Sequence, residues 1–114
     1  MLLLLVDYLE ENKETVKAFT KAFVEGWNMY EDSYEEINKV VQQDNPDIEL
    51  ESLKFEAESQ AEFVYGGDAA EHGVGYMTEE RWATLIEQLH ELKLVDEVFD
   101  AKEIFTTEFL PEQQ

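Results

Sequence analysis

His72 and His90 are the two imidazoles of this chain, and each sits beside a glutamate, Glu71 and Glu91. An imidazole next to a carboxylate can ligate zinc or move a proton near neutral pH. Their separation of 18 positions matches no ligand spacing, and no HExxH sequence occurs, so they read as two ordinary surface histidines. With no cysteine, disulfides, thiolate metal sites and thiol catalysis are excluded. Asp44, Asp47, Glu49 and Glu51 offer oxygen ligands, yet the stretch lacks the central glycine and ligand order of an EF-hand. Gly73-Val74-Gly75-Tyr76-Met77-Thr78 imitates the start of GxGxxG but has threonine where the third glycine belongs. Neither GxSxG nor a Walker sequence is present, and no carboxylate pair stands out as buried, the arrangement that acid–base catalysis needs. The sequence reads as a non-catalytic protein with no cofactor and no metal.

Aromatic groups leave a second kind of chemistry open, stacking on a planar ligand. Trp27 and Trp82 fall at helical spacing and read as core. Tyr65 and Tyr76 lie beside glycines, in segments that read as loops, and are the candidates for ligand contact. Arg81 is the single arginine of an acidic chain and stands directly before Trp82.

The charge balance narrows the partners. Against 28 acidic residues stand seven lysines and one arginine, for a formal charge of -20. That charge disfavours nucleic acid, phosphate-rich ligands and anionic membranes as partners, and no nucleic-acid partner is expected. The carboxylates are spread along every segment and alternate with core positions. That pattern fits a solvated acidic surface, as in proteins adapted to salt, better than one face that mimics DNA or binds a basic protein. A hydrophobic content of 44% with 14 aromatic residues indicates a folded chain. Its 114 residues make one domain or domain fragment, 1–114, able to bury roughly two-thirds of its unfolded surface.

The elements that must position these residues can be read from periodicity. Leu2-Leu3-Leu4-Leu5-Val6 is continuously apolar, as in a strand covered on both faces. It has no basic region before it and no cleavage site after it, so it does not read as a signal peptide. Nothing approaches the ~20 apolar residues of a membrane span. Asn12 is the expected N-cap of a helix carrying Val16, Phe19, Phe23, Trp27 and Tyr30 as one stripe. Gly26 in its middle suggests close approach of another backbone. Ser33 and Glu36 form a capping box that opens a second helix over Ile37, Val40 and Val41. Asp44-Asn45-Pro46-Asp47 ends it, and a third helix starting at Pro46 or Asp47 carries Ile48, Leu50, Leu53 and Ala57. Ala61–Tyr65 fits either an extension of that helix or a short strand. Turns follow at Gly66-Gly67 and at Gly73–Gly75. Thr78 then caps a helix with Trp82, Leu85, Ile86, Leu89 and Leu92 on its stripe. The segment from Val95 to Pro111 holds too many large apolar groups for a loose tail and should pack, with a helical turn at Asp100–Glu103. The expected fold is mainly α, four to five helices with at most a short N-terminal strand.

Three stretches carry a resemblance to a known family. They are DYLEENKETVKAFTKAFVEGWNMYED (Asp7 to Asp32), GVGYMTEERWATLIEQLHELKLV (Gly73 to Val95) and VFDAKEIFTTEFLP (Val98 to Pro111). Their A-F-x-x-A-x-x-x-G-W, G-x-M-x-x-E-R-W and F-T-T-E-F-L runs resemble the C-terminal part of a family of solute-binding proteins. That family serves ABC importers for thiamine-pyrimidine precursors, riboflavin, taurine, alkanesulfonates and nitrate; Thr107 stands where its closing segment usually has asparagine. The resemblance implies the C-terminal helical part of a two-lobed α/β periplasmic-binding-protein fold. Gly26, Trp27, Gly75, Arg81 and Trp82 would be its structural motif, with Trp82 buried and Arg81 near carboxylates. It further implies a small organic solute captured only by the complete protein, an ABC permease as partner, and an extracytoplasmic location. Since the resemblance covers only the last third of that fold, the isolated segment is expected to self-associate. An independent acidic helical module acting by protein binding is the alternative.

Overall fold

The computed structural model describes residues 1–112. Among them there are five helices and no strand: α1 (Val6–Glu11), α2 (Lys13–Asp44), α3 (Leu50–Tyr65), α4 (Asp68–His72) and α5 (Glu79–Glu91). A 3₁₀ turn follows at Ala101–Glu103. No helix among the described residues is long and apolar enough to cross a membrane.

Local chemistry explains most of these boundaries. The Thr78 hydroxyl accepts from the backbone N–H of Arg81 at 3.3 Å, and Glu79 and Glu80 lie in the first turn of α5, where the helix dipole favours negative charge. Asp100 likewise accepts from the Lys102 N–H at 2.9 Å to start the 3₁₀ turn. Ser33 marks the break expected there: its backbone leaves helical geometry (φ -128°, ψ 17°), and α2 is two helical stretches that meet at this kink. The Tyr30 hydroxyl bridges the kink, donating to Asn38 Oδ1 at 2.6 Å. Asn12 caps nothing with its side chain; its Nδ2 donates back to the Tyr8 carbonyl at 3.0 Å and closes α1. α3 begins at Leu50, later than Pro46 or Asp47, and Ala61–Tyr65 continues it.

α3 folds back antiparallel on the second half of α2, as three widely spaced links show. Tyr65 donates to the Trp27 carbonyl at 2.6 Å, Tyr34 to Glu58 at 3.0 Å, and Lys54 lies 3.5 Å from Glu35. An aromatic ladder runs down α2, Phe23 edge-on to Trp27 and Trp27 edge-on to Tyr30. The inner face of the first half of α2 is Val16, Thr20 and Val24, one side of the helix at a spacing of four. Phe19, assigned to that stripe by its spacing, points outward and is exposed. Ile86 of α5, 1% exposed, is the most completely buried large side chain, while Leu85 and Leu92 of the expected stripe are exposed.

Residues 1–5 form no strand and are not buried. They have no regular secondary structure, Leu5 is extended as the N-cap of α1 (φ -71°, ψ 138°), and Val6 already belongs to α1. A strand requires a neighbour to take its backbone hydrogen bonds, and no backbone–backbone bond among the described residues involves residues 1–4. The alternation of a strand is nonetheless present: Leu2 and Leu4 are 37% and 46% exposed, Leu3 and Leu5 84% and 79%.

Surface measures agree with that open edge. The accessible surface is 9181 Å² and the Cα radius of gyration 16.8 Å. A compact domain of this mass and length would have about 6,500 Å² and about 13 Å.

Two glycines behave oppositely. A Cβ added to Gly26 would meet nothing within 4 Å, so no backbone approaches it. Gly75 adopts φ +89°, and a Cβ there would stand 3.2 Å from the Leu110 side chain. Gly26→Ala is expected to stabilise the chain by about 1 kcal/mol, and Gly75→Ala to destabilise it by roughly 1–2 kcal/mol. Urea denaturation of both variants checks the signs; equal shifts would contradict the geometry.

Tyr65 ties α3 to α2, and burial, followed by the negative charge of Glu31, raises its phenol above the ordinary value. A raised folded-state pKa stabilises the fold fully below the unfolded value of about 10 and ceases to do so as pH rises through the folded value. Tyr65→Phe should therefore cost about 1 kcal/mol at neutral pH and lose less stability than the parent above pH about 10. Urea midpoints at the two pH values measure both effects.

Candidate functional site

The open first half of α2 faces a cleft of about 320 Å³, a volume at the lower end of small-molecule sites. Four pieces of chain form it. Residues 1–4 cover one side, and Val16, Thr20 and Val24 of α2 make a wall. Gly75 and Met77 of the glycine turn and Trp82 of α5 make another, and Phe105, Phe109 and Leu110 of the C-terminal segment close the far side. The turn reaches this position because Gly75 and Gly73, both at positive φ, let the chain reverse between α4 and α5. The absence of a Cβ at Gly75 leaves room for Leu110.

The lining is nearly uncharged. Glu103 is its single ionisable side chain, joined by the hydroxyls of Thr20 and Thr106, in a chain whose charged residues are 32% of the total. Such a surface can hold apolar matter and make a few hydrogen bonds. Among the described residues, no three His, Asp or Glu side chains come together to hold a metal ion.

A second groove, about 310 Å³, lies on the other side of Trp82 and is lined by Tyr76, Met77, Thr78, Arg81, Trp82 and Leu85. The Trp82 indole is thus a shared wall, held by stacking on Phe105 with centroids 6.1 Å apart and planes 24° apart. Tyr76 stacks on His72 at 4.2 Å. Arg81 extends into solvent and lies 3.6 Å from Asp68, an exposed ion pair worth under ~1 kcal/mol. It links the first turn of α5 to α4, and Lys102 to Glu79 at 3.8 Å links α5 to the 3₁₀ turn.

The residues singled out by sequence therefore separate into groups. Gly75 and Trp82 line the cleft, and Tyr76 and Arg81 line the adjoining groove with Trp82. Tyr65 belongs to neither, since it closes α3 onto the Trp27 carbonyl. Trp27 is half-buried in the aromatic ladder, and Gly26 faces open space. Met77, Phe105, Phe109 and Leu110 were not named as site residues; the apolar weight of the tail was the signal that it packs, but no periodicity indicated against what.

The chain matches no model of a known protein family, and no curated protein sequence matches it.

Proposed function

We propose that this chain is part of the solute-capture protein of an ABC importer, a non-catalytic binding protein for a small organic molecule. The observation that carries the reading is the open apolar face: residues 1–4, without backbone hydrogen bonds to the rest of the chain, beside a largely apolar cleft in a chain of charge -20. A face of that kind is the cut side of a larger core, and the surface excess of roughly 2,700 Å² over a compact domain has the same meaning. The three stretches that resemble solute-binding proteins also converge here. α2 from the first, Gly75, Met77 and Trp82 from the second, and Phe105, Phe109 and Leu110 from the third line one cleft.

In this reading the segment supplies the helical cover of one lobe, and the remaining polypeptide supplies the sheet that Leu2–Leu5 joins and most ligand contacts. The complete protein would act outside the cytoplasm and deliver its solute to a membrane permease. Carboxylates stand in every helix from α1 to α5, which suits a solvated surface and gives no single charged face for a basic partner.

The test is the size of the native product. An antibody raised against this segment should detect, in the source cells, a band roughly threefold heavier than 13.3 kDa, near the ~250–300 residues at which chains divide into domains. A sole band at 13.3 kDa would overturn the proposal.

A further inference from the structure

We infer that the hairpin of α3 on the second half of α2 is a conformational switch set by ionic strength. It closes when salt screens its carboxylates and opens as salt is withdrawn, with Lys54 as the cation that holds the two helices together. The hairpin lies wholly inside the chain, so the inference rests neither on the chain's ends nor on the functional reading above.

Its charge is one-sided. Residues 31–65 hold eleven acidic residues and two lysines. Lys39 pairs within α2, 3.6 Å from Glu36. Lys54 reaches across: its Nζ lies 3.5 Å from Glu35 of α2 and 3.8 Å from Glu58 of α3. Among the described residues this is the single ion pair between the two helices. Glu58 also accepts from the Tyr34 hydroxyl at 3.0 Å, so one short network joins Glu35, Lys54, Glu58 and Tyr34. Glu51, Glu56 and Glu62 of α3 are exposed and make no ion pair among the described residues.

Little burial opposes the resulting repulsion. Leu53 and Ala57 are the buried apolar residues of α3, and beyond the kink at Ser33 the one buried residue of α2 is Asn38. Asn38 is 3% exposed, and its Nδ2 has no hydrogen-bond partner, an arrangement that weakens an interior. The Tyr65 bond to the Trp27 carbonyl closes the far end.

Distance decides the sign of the salt effect. Packed helices lie about 8–10 Å apart, so carboxylates of one helix repel those of the other over that range or more. The screening length is about 30 Å at 0.01 M salt and about 3 Å at 1 M. Repulsion across the hairpin is therefore almost unscreened in the first condition and largely removed in the second. The Lys54–Glu35 contact, at 3.5 Å, loses proportionately less. Added salt closes this hairpin, the reverse of its effect on a fold held by surface ion pairs.

Protection of the backbone amides of residues 53–62 against hydrogen exchange, followed by NMR at neutral pH in 0.01 M and 1 M potassium chloride, reads the outcome. Protection should rise roughly tenfold or more at 1 M. Glu56→Gln combined with Glu62→Gln should raise it at 0.01 M and shrink the salt effect. Glu97→Gln combined with Glu108→Gln makes the same charge change at two exposed positions of the C-terminal segment and should leave the salt effect of α3 as in the parent. Lys54→Gln should lower protection at 0.01 M and differ little from the parent at 1 M. A general strengthening of apolar burial by salt would act alike on the parent and every variant. Protection that is unchanged or lower at 1 M overturns the inference. So does a salt effect that the Glu56, Glu62 variant leaves intact or that the Glu97, Glu108 variant shrinks equally, or a Lys54→Gln variant protected like the parent at 0.01 M. None of these results bears on the size of the native product.

Discussion

Val16, Val24, Leu53, Ala57, Ile86 and Ala101 are the apolar residues this chain buries, and their positions set the limits of the fold. Leu53 and Ala57 lie on α3 and hold its hairpin with α2. Val16 and Val24 face the cleft from the first half of α2, and Ile86 and Ala101 join α5 to the 3₁₀ turn. The buried apolar residues are thus few and are shared among separate pairs of elements. Full burial of a valine, leucine or isoleucine contributes about 1.5–3 kcal/mol, and two of the six residues are alanines with less to contribute. Hydrogen bonds and aromatic edges therefore carry an unusual share of the connections between elements: Tyr65 to the Trp27 carbonyl, Tyr34 to Glu58, Trp82 on Phe105. Each orients helices that burial alone would leave loosely placed.

Charge acts as the counterpart of this shortage. The ion pairs of the structure are all exposed and at 3.5–4.0 Å, and pairs of that kind contribute little each. With 28 acidic side chains to eight basic ones, most carboxylates face water without a cation beside them, and their mutual repulsion works against compaction. The cleft escapes this field because its walls come from the inward faces of α2 and α5 and from the aliphatic residues 1–4.

Sequence pattern disclosed the helices more readily than their neighbours. α5 was legible from Thr78, its acidic first turn and its stripe, and the 3₁₀ turn from Asp100, because caps are local chemistry. The break at Ser33 was legible from its capping pattern; the Tyr30–Asn38 bond that spans the kink was not. Leu2–Val6 shows the opposite limit. Its composition states that both faces want cover, yet no periodicity can say whether cover is present, and here residues 2–5 form no strand and are exposed while Val6 enters α1. Phe19 and Gly26 fail for the same reason. One sits at core spacing with nothing packed on it, the other at a position that suggested close contact and has none. Of the cleft, Gly75 and Trp82 were expected as structural residues and not as lining, and Phe105, Phe109 and Leu110 depend on a tail whose path only tertiary packing determines.

Trp82 connects these levels. Its indole separates the cleft from the groove that holds Tyr76 and Arg81, and its stacking on Phe105 ties α5 to the C-terminal segment. Interiors and their margins behave as packed solids, so a side chain that fills space on two sides cannot move toward one without opening the other. Arg81, in the first turn of α5, is exposed and makes a weak pair with Asp68 of α4, so in this acidic chain it adds only a minor surface link between the two helices, while Trp82 joins α5 to the C-terminal segment through Phe105.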